Sequence, residues 1–249
     1  MFSADPSVIF IAAAVIFGAA LISSIAGFAF SALAGAVVLH LYQDPVRSMA
    51  VVVSCSIAIQ AYGVWALRRD IQLPRLAAFL LGGVFTVPVG VLILKGMPMG
   101  VFSLCLGVIV ILYSIYHMRG SHLRVPNFSR RADIAVGALG GLLGGLIAFP
   151  GLVVCIWCGL RGWPKEQQRA IYQPFILVMQ LEALACLGAM TPSRVPLEAL
   201  AFYMPVALFA AYIGFALFRR MSAAQFNLAF HLLLIAAGVS LLGVFPRSL

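Results

Sequence analysis

Charge is scarce in this sequence. Asp, Glu, Lys and Arg together make up 9% of the 249 residues, against about 25% in a soluble domain. That is too little charge to cover a water-facing surface, so a soluble globular protein is excluded. Disorder is excluded as well, because it needs low hydrophobicity and high net charge. Acid is scarcer still. The seven carboxylates are Asp5, Asp44, Asp70, Asp133, Glu166, Glu182 and Glu198, and only Glu182 lies inside an apolar run, which excludes a paired-aspartate protease within a membrane. There is no H-E-x-x-H and no Walker loop, so zinc proteolysis and ATP-driven chemistry have no footing. The five cysteines (Cys55, Cys105, Cys155, Cys158 and Cys186) all sit in apolar runs with no His or carboxylate at ligand spacing. Cys155 and Cys158 read as buried small residues on one helix face, with thiol chemistry as the alternative. No metal, no cofactor and no enzymatic activity are expected. No Lys or Arg precedes Val8, and the first apolar run continues far past the length of a signal peptide, so it is expected to stay in the mature chain.

What the sequence has is apolar length. Hydrophobic residues make up 63%, and mean hydropathy is +1.10. A membrane span needs about 20 apolar residues. Eight apolar runs, free of charge but for Glu182, meet or approach that: 8–41, 48–67, 76–94, 97–118, 134–160, 170–190, 199–218 and 222–244. The sixteen Lys and Arg, which give a net charge of +9, fall in the short gaps between them. This is the positive-inside bias of a multi-pass protein of the cell inner membrane, not a nucleic-acid groove. Expected partners are therefore the lipid bilayer and a small solute, with no nucleic acid; a homo-oligomer is compatible with the composition.

The chain repeats itself. An offset of 119 aligns residues 18–51 with 137–170, matching Gly18 with Gly137, Ala29-Phe30 with Ala148-Phe149, Leu33 with Leu152 and Pro45 with Pro164. An offset of 124 later pairs Gly90 with Gly214 and Phe102 with Phe226. The expected fold is an all-α polytopic membrane protein with two pseudo-symmetric halves of four hydrophobic segments. Residues 1–118 form the first repeat, 119–133 a polar linker and 134–249 the second repeat. The first run of each half is expected to break near its centre. The run over 8–41 is too long for one perpendicular span and carries Ser23, Ser24 and Gly27, while the run over 134–160 carries Gly140-Gly141, Gly144-Gly145 and Pro150-Gly151. If all eight runs cross, the two sides hold seven and nine basic residues; if the first run of each half enters and returns, they hold twelve and four. The positive-inside rule favours the second arrangement, which makes the repeat inverted, and eight crossings remain the alternative.

Irregular backbone at membrane depth survives only when protein or a wet cavity surrounds it. The breaks are therefore the expected substrate site, with Ser23, Ser24, Gly27 and Phe28 in the first half and Gly144, Gly145, Phe149 and Pro150 in the second. Helix N-termini there would offer an anion about half a positive charge each. Oriented peptide dipoles are expected to do this work because the runs hold no Lys or Arg. Ser54 and Gln173, which align, could add neutral donors, and Glu182 is the candidate for proton coupling. Packing is the competing reading of Gly137, Gly141 and Gly145, and an interhelical hydrogen bond that of each polar side chain.

The stretches SSIAGFAFSALAG and GGLLGGLIAFPGLVV, followed by DPVRSMAVVVS and WPKEQQRAIYQ, with RRDIQLPRL after the second run, resemble the TauE/SafE family of sulfite exporters. The chain departs from that family's glycine-rich G-x-G-G-G at Ala26-Gly27-Phe28-Ala29-Phe30. The resemblance implies a permease that moves a small sulfur-containing oxyanion or organosulfonate by secondary alternating access. An uncoupled anion channel and a non-transporting membrane assembly partner are the alternatives.

Overall fold

A computed structural model describes residues 6–42, 45–94, 129–147, 149–190 and 197–243, with scattered positions between 107 and 118. Most of the fourth apolar run and residues 119–128 of the polar linker lie outside the described residues. The described residues are helical, with no strand among them. In chain order the helices are α1 (Pro6–Ala26), α2 (Phe30–Tyr42), α3 (Pro45–Ala66), α4 (Leu73–Leu94), α5 (Arg130–Ile147), α6 (Gly151–Leu160), α7 (Lys165–Met190), α8 (Leu197–Arg220) and α9 (Ala223–Gly243). Three stretches among the described residues are long and apolar enough to cross a membrane: Val8–Ala26, Leu73–Ile93 and Ala201–Arg220. Shorter apolar stretches run over Val51–Ala66, Gly151–Leu160 and Ala223–Val239.

The chain forms two compact units that interleave in sequence. One comprises Met1–Gly63, Gly100–Ile115 and Ser193–Leu249, the other Val64–Met99 and Tyr116–Pro192. Packing units are thus distinct from sequence repeats. Each unit takes a broken run from one half and the third run from the other.

In the first unit, small residues spaced four, seven and eight apart let α1 and α8 approach. Ala12, Ile16, Ala19 and Ala20 of α1 share a core with Tyr203, Ala207, Ala210 and Ala211 of α8, and Phe30, Ala34 and Val38 of α2 complete it with Val51, Val52, Cys55 and Ile59 of α3. The pairings fix direction. Phe17 meets Phe209 at 6.3 Å between ring centroids, and Gly214 lies against the Leu21 carbonyl and the Ser24 Cβ, so α1 and α8 run parallel. Tyr42, at the end of α2, bonds Tyr203 through their hydroxyls at 2.5 Å, and Tyr203 precedes the level of Phe17 on α8. The chain has therefore doubled back between α1 and α2.

In the second unit, α4 and α5 meet along a glycine seam. A Cβ at Gly82 would lie 1.9 Å from the Ile134 carbonyl, one at Gly137 2.1 Å from the Phe79 carbonyl and one at Gly141 2.2 Å from the Gly83 carbonyl. Thr86 Oγ1 donates across the seam to the Ala138 carbonyl at 2.7 Å. Lipid offers helices no hydrophobic drive to associate, so such close contact and hydrogen bonding must hold them. The opposite face of α4 carries Leu81, Phe85, Val89 and Leu92, all exposed, as a lipid-facing stripe should be.

This unit also doubles back. A Cβ on Gly140 would lie 2.9 Å from the Pro150 carbonyl and one on Gly144 3.0 Å from the Pro150 Cβ, so three residues beyond Ile147 the chain has returned alongside α5. At the far end Asp133, in the first turn of α5, accepts from Trp157 Nε1 at 2.8 Å and from Arg161 at 2.7 and 2.9 Å. That clamp joins the start of α5 to the end of α6. It also corrects the linker boundary, because residues 130–133 are already helical.

Candidate anion-binding site

The break in the first unit is a three-residue reversal. Gly27 takes φ 86° and its N–H bonds the Ser23 carbonyl at 2.6 Å, closing α1. Ala29 takes φ 72°, a left-handed conformation that glycine adopts freely and alanine does not, and its carbonyl receives the Leu33 N–H at the first turn of α2. Gln60 of α3 donates Nε2 to the Gly27 carbonyl at 3.2 Å, and Phe28 packs on Phe230 of α9 at 5.0 Å between centroids. Every residue from Ala26 to Phe30 is buried. The first backbone N–H groups of α2 thus open in the interior, at the positive end of its dipole.

The expected residues of this unit divide in their roles. Ser23 bonds back to the Ala20 carbonyl at 3.3 Å within its own helix. Ser24 is buried against Gly214 of α8, and its Oγ has no hydrogen-bond partner among the described residues. Gly27 and Phe28 form the reversal itself. Ser54 is buried on α3. Gln60, a polar residue of the second run not assigned to the site from sequence, is the side chain that holds the reversal, and its Oε1 has no partner among the described residues.

In the second unit the break lies at Phe149 and Pro150, two positions later than the alignment with Gly27–Ala29 gives. The Phe149 N–H reaches the Leu143 carbonyl at 3.4 Å, and Pro150, with φ −66° and ψ −27°, caps α6 without a side-chain bond. Proline suits a helix start because its missing N–H has no partner there in any case. Gly144 packs against Pro150. Gly145 points the other way, since a Cβ there would meet the Val87 carbonyl at 2.3 Å, the Val91 nitrogen at 2.7 Å and the Gly90 Cα at 2.9 Å, all backbone of α4. Close packing accounts for that glycine. Gln173 is buried on α7, with Oε1 unpartnered among the described residues. Glu182 is only half-buried, and its Oε2 likewise lacks a partner there.

Helix α7 begins at Lys165, five residues ahead of the apolar run over 170–190, so Arg169 belongs to the helix. Its side chain is 0% exposed. The apolar runs hold no Lys or Arg, yet the helix start ahead of the run over 170–190 buries one. Tyr172, Cys155 and Glu166 lie within its electrostatic reach. Pro164 and Glu166 carried the signal that was missed: proline just ahead of the first turn and an acid within it mark a helix start. The Gln168 N–H bonds the Pro164 carbonyl at 3.0 Å, closing that turn.

Cys55, Cys155 and Cys158 are free and buried, Cys186 is free and half-buried, and Cys105 lies outside the described residues. Comparison with curated proteins and with solved structures finds no match. The family profile described as sulfite exporter TauE/SafE matches residues 12–241, nearly the whole chain. The chain therefore belongs to the TauE/SafE sulfite exporter family of membrane transporters.

Proposed function

We propose that this protein is a multi-pass permease of the cell inner membrane that moves a small sulfur-containing oxyanion or organosulfonate by secondary alternating access. The observation that carries the reading is the pair of buried reversals, Gly27–Ala29 and Phe149–Pro150, each starting a new helix away from solvent. Exposed helix starts at such a place suit an anion stripped of its water. They are tolerable only where protein or a polar cavity replaces that water.

The doubling back of the chain in each unit supports two hairpins that enter and return in an inverted repeat; α1 is long enough to reach across the hydrocarbon, and α5 is not. From Asp133 to the end of α5 at Ile147 is fourteen residues, or about 21 Å of helix, short of the roughly 30 Å of hydrocarbon. The clamp of Asp133 on Trp157 and Arg161 returns the chain to the end where it started. The basic gaps then collect on the cytoplasmic side, twelve against four. The parallel pairing of α1 with α8 and of α5 with α4 is what such a repeat would produce.

Purified protein in liposomes tests the function. Sulfite or a simple sulfonate should cross with saturation and, if the flux is coupled, with dependence on a proton gradient. Flux that rises linearly with concentration would instead establish an uncoupled channel. No flux, with stable co-purification of another membrane protein, would establish an assembly partner.

A further inference from the structure

We propose that the end of the second unit where α4 and α5 begin is a binding site for the phosphate of an anionic phospholipid, seated on Arg75, Trp163 and Arg161. The three tryptophans of the chain all lie at this end, and each has an arginine over its ring. Arg68 stands 4.9 Å from the centre of the Trp65 ring and donates Nη1 to the Trp65 carbonyl at 2.8 Å. Arg161 lies 5.8 Å from the Trp157 ring. Trp163 carries two guanidiniums, Arg75 at 5.2 Å and Arg161 at 5.3 Å. The fold collects these groups. The register that sets Gly137 against Phe79 puts Arg75 of α4 at the level of Asp133 of α5, and the Asp133 clamp brings the turn between α6 and α7 to the same level. Arg75 is the third residue of Leu73–Ile93, a stretch long and apolar enough to cross a membrane. That depth is the boundary between hydrocarbon and headgroups, where tryptophan rings settle.

Charge at this end is unbalanced. Arg68, Arg69, Arg75, Arg130 and Arg131 are exposed. Asp133 is committed to Arg161 at 2.7 Å, and Glu166 lies 3.6 Å from Lys165, which leaves Asp70 as the exposed acid to set against five exposed arginines among the described residues. The two guanidiniums on Trp163 lie within about 11 Å of each other, close to the Debye length of about 10 Å at 0.1 M salt, so they repel unless an anion comes between them. A phosphodiester supplies that anion, and a guanidinium fork accepts it through two oxygens at once. Stacking on the indole holds both forks in place before the ligand arrives, which lowers the ordering cost of binding. The positive-inside bias accounts for the arginines but not for the indole under each of those three. Depth selects the lipid over a soluble phosphate: acyl chains stay in the hydrocarbon, where α4 exposes Leu81 and Phe85, while the headgroup reaches Arg75 without leaving the membrane.

The inference goes beyond the permease reading and needs neither its cargo nor its mechanism, so the test measures no flux and reads the tryptophans themselves. Full-length protein is placed in mixed vesicles of phosphatidylcholine and phosphatidylglycerol at about 0.3 M salt, which screens the diffuse surface field. Bromine is carried on the upper acyl chain of one lipid or the other, and quenching of tryptophan emission is compared. Phosphatidylglycerol should be preferred around the tryptophans at least about tenfold, the yield of one charge-assisted contact. Arg75→Gln should lower that preference about tenfold, with the melting temperature in detergent unchanged because Arg75 is exposed. Arg69→Gln removes the same charge at the same end from a side chain over no ring among the described residues, and should change the preference no more than about twofold. Equal quenching by the two lipids in the parent protein overturns the proposal before any variant is made. Equal losses in Arg75→Gln and Arg69→Gln overturn it as well, since they reduce the site to general surface charge. Thermal unfolding of the parent in detergent separates the two sources of phosphate: short-chain phosphatidylglycerol should raise the melting temperature and glycerol 3-phosphate should not. Equal stabilisation by both would assign the site to a soluble phosphate and overturn the lipid.

Discussion

Gly145→Ala separates packing from ligand contact at the second break. The added methyl would lie 2.3 Å from the Val87 carbonyl, 2.7 Å from the Val91 nitrogen and 2.9 Å from the Gly90 Cα. None of these atoms can rotate away, so α4 and α5 must part by about 1 Å to reach ordinary contact. Overpacking of this kind costs about 1–3 kcal/mol, and more where only backbone can yield. Parting also stretches the Thr86 bond to Ala138, worth about 0.6 kcal/mol in a membrane setting. Against this, alanine gains about 1 kcal/mol over glycine in a helix interior. The net expectation is a loss of about 2 kcal/mol. Gly18→Ala is the control, because nothing lies within 4 Å of a Cβ there and only the helical gain remains. Thermal unfolding of both variants in detergent, followed by tryptophan fluorescence, measures the contrast. For a chain of this length about 2 kcal/mol corresponds to a fall of roughly 4–8 °C. Equal melting temperatures for Gly145→Ala and Gly18→Ala would refute the seam. A Gly145→Ala protein of parental stability that transports nothing would return this glycine to the substrate.

Three further outcomes follow from the same geometry. Ala29→Gly should raise stability by about 1 kcal/mol, because the residue holds φ 72° and glycine adopts it without strain; a lower melting temperature would show that the Ala29 methyl is needed for packing. Asp133→Asn should cost about 2–3 kcal/mol and shift the Trp157 emission, since it removes the charge that binds Arg161 in a pair only about a tenth exposed; unchanged emission and stability would dissolve the clamp. Glu182→Gln should shift or flatten the pH dependence of flux if this residue carries the coupling proton, and an unchanged profile removes it from that role.

The two helix breaks were legible in the sequence because their cause is local. Glycine and proline weaken a helix wherever they stand, and a run of 34 residues over 8–41 cannot cross once and stop. What surrounds the reversals was not legible. Gln60 holds Gly27 across 33 residues of sequence, and Gly145 faces α4 rather than the break, because helix direction and face are set by partners that no window on one strand of sequence contains. Arg169 was lost for a different reason. Counting charge assigns every basic residue to a gap, and the helix start at Lys165 lies inside one. Asp133 was misplaced in the same way, at the edge of a linker whose last residues are helical.

The glycine seam also limits what can move. Gly137, Gly141 and Gly145 recur every four residues, and each meets a particular backbone atom of α4 around Phe79, Gly83 and Val87. A slide by half a helical turn, about 2.7 Å, would bring the side chains that flank those glycines onto backbone, where there is no room for a Cβ. The Thr86 bond fixes the register again, and the Asp133 clamp ties α6 to α5. Helices α4, α5 and α6 are therefore expected to travel as one body through a transport cycle. Joining Thr86→Cys to Ala138→Cys with a short thiol reagent, in a protein freed of its five native cysteines, should leave sulfite flux within about twofold of the unlinked form. Flux that stops on linkage and returns on reduction would show that α4 and α5 part during transport, and that the seam is one stage of the cycle rather than its frame.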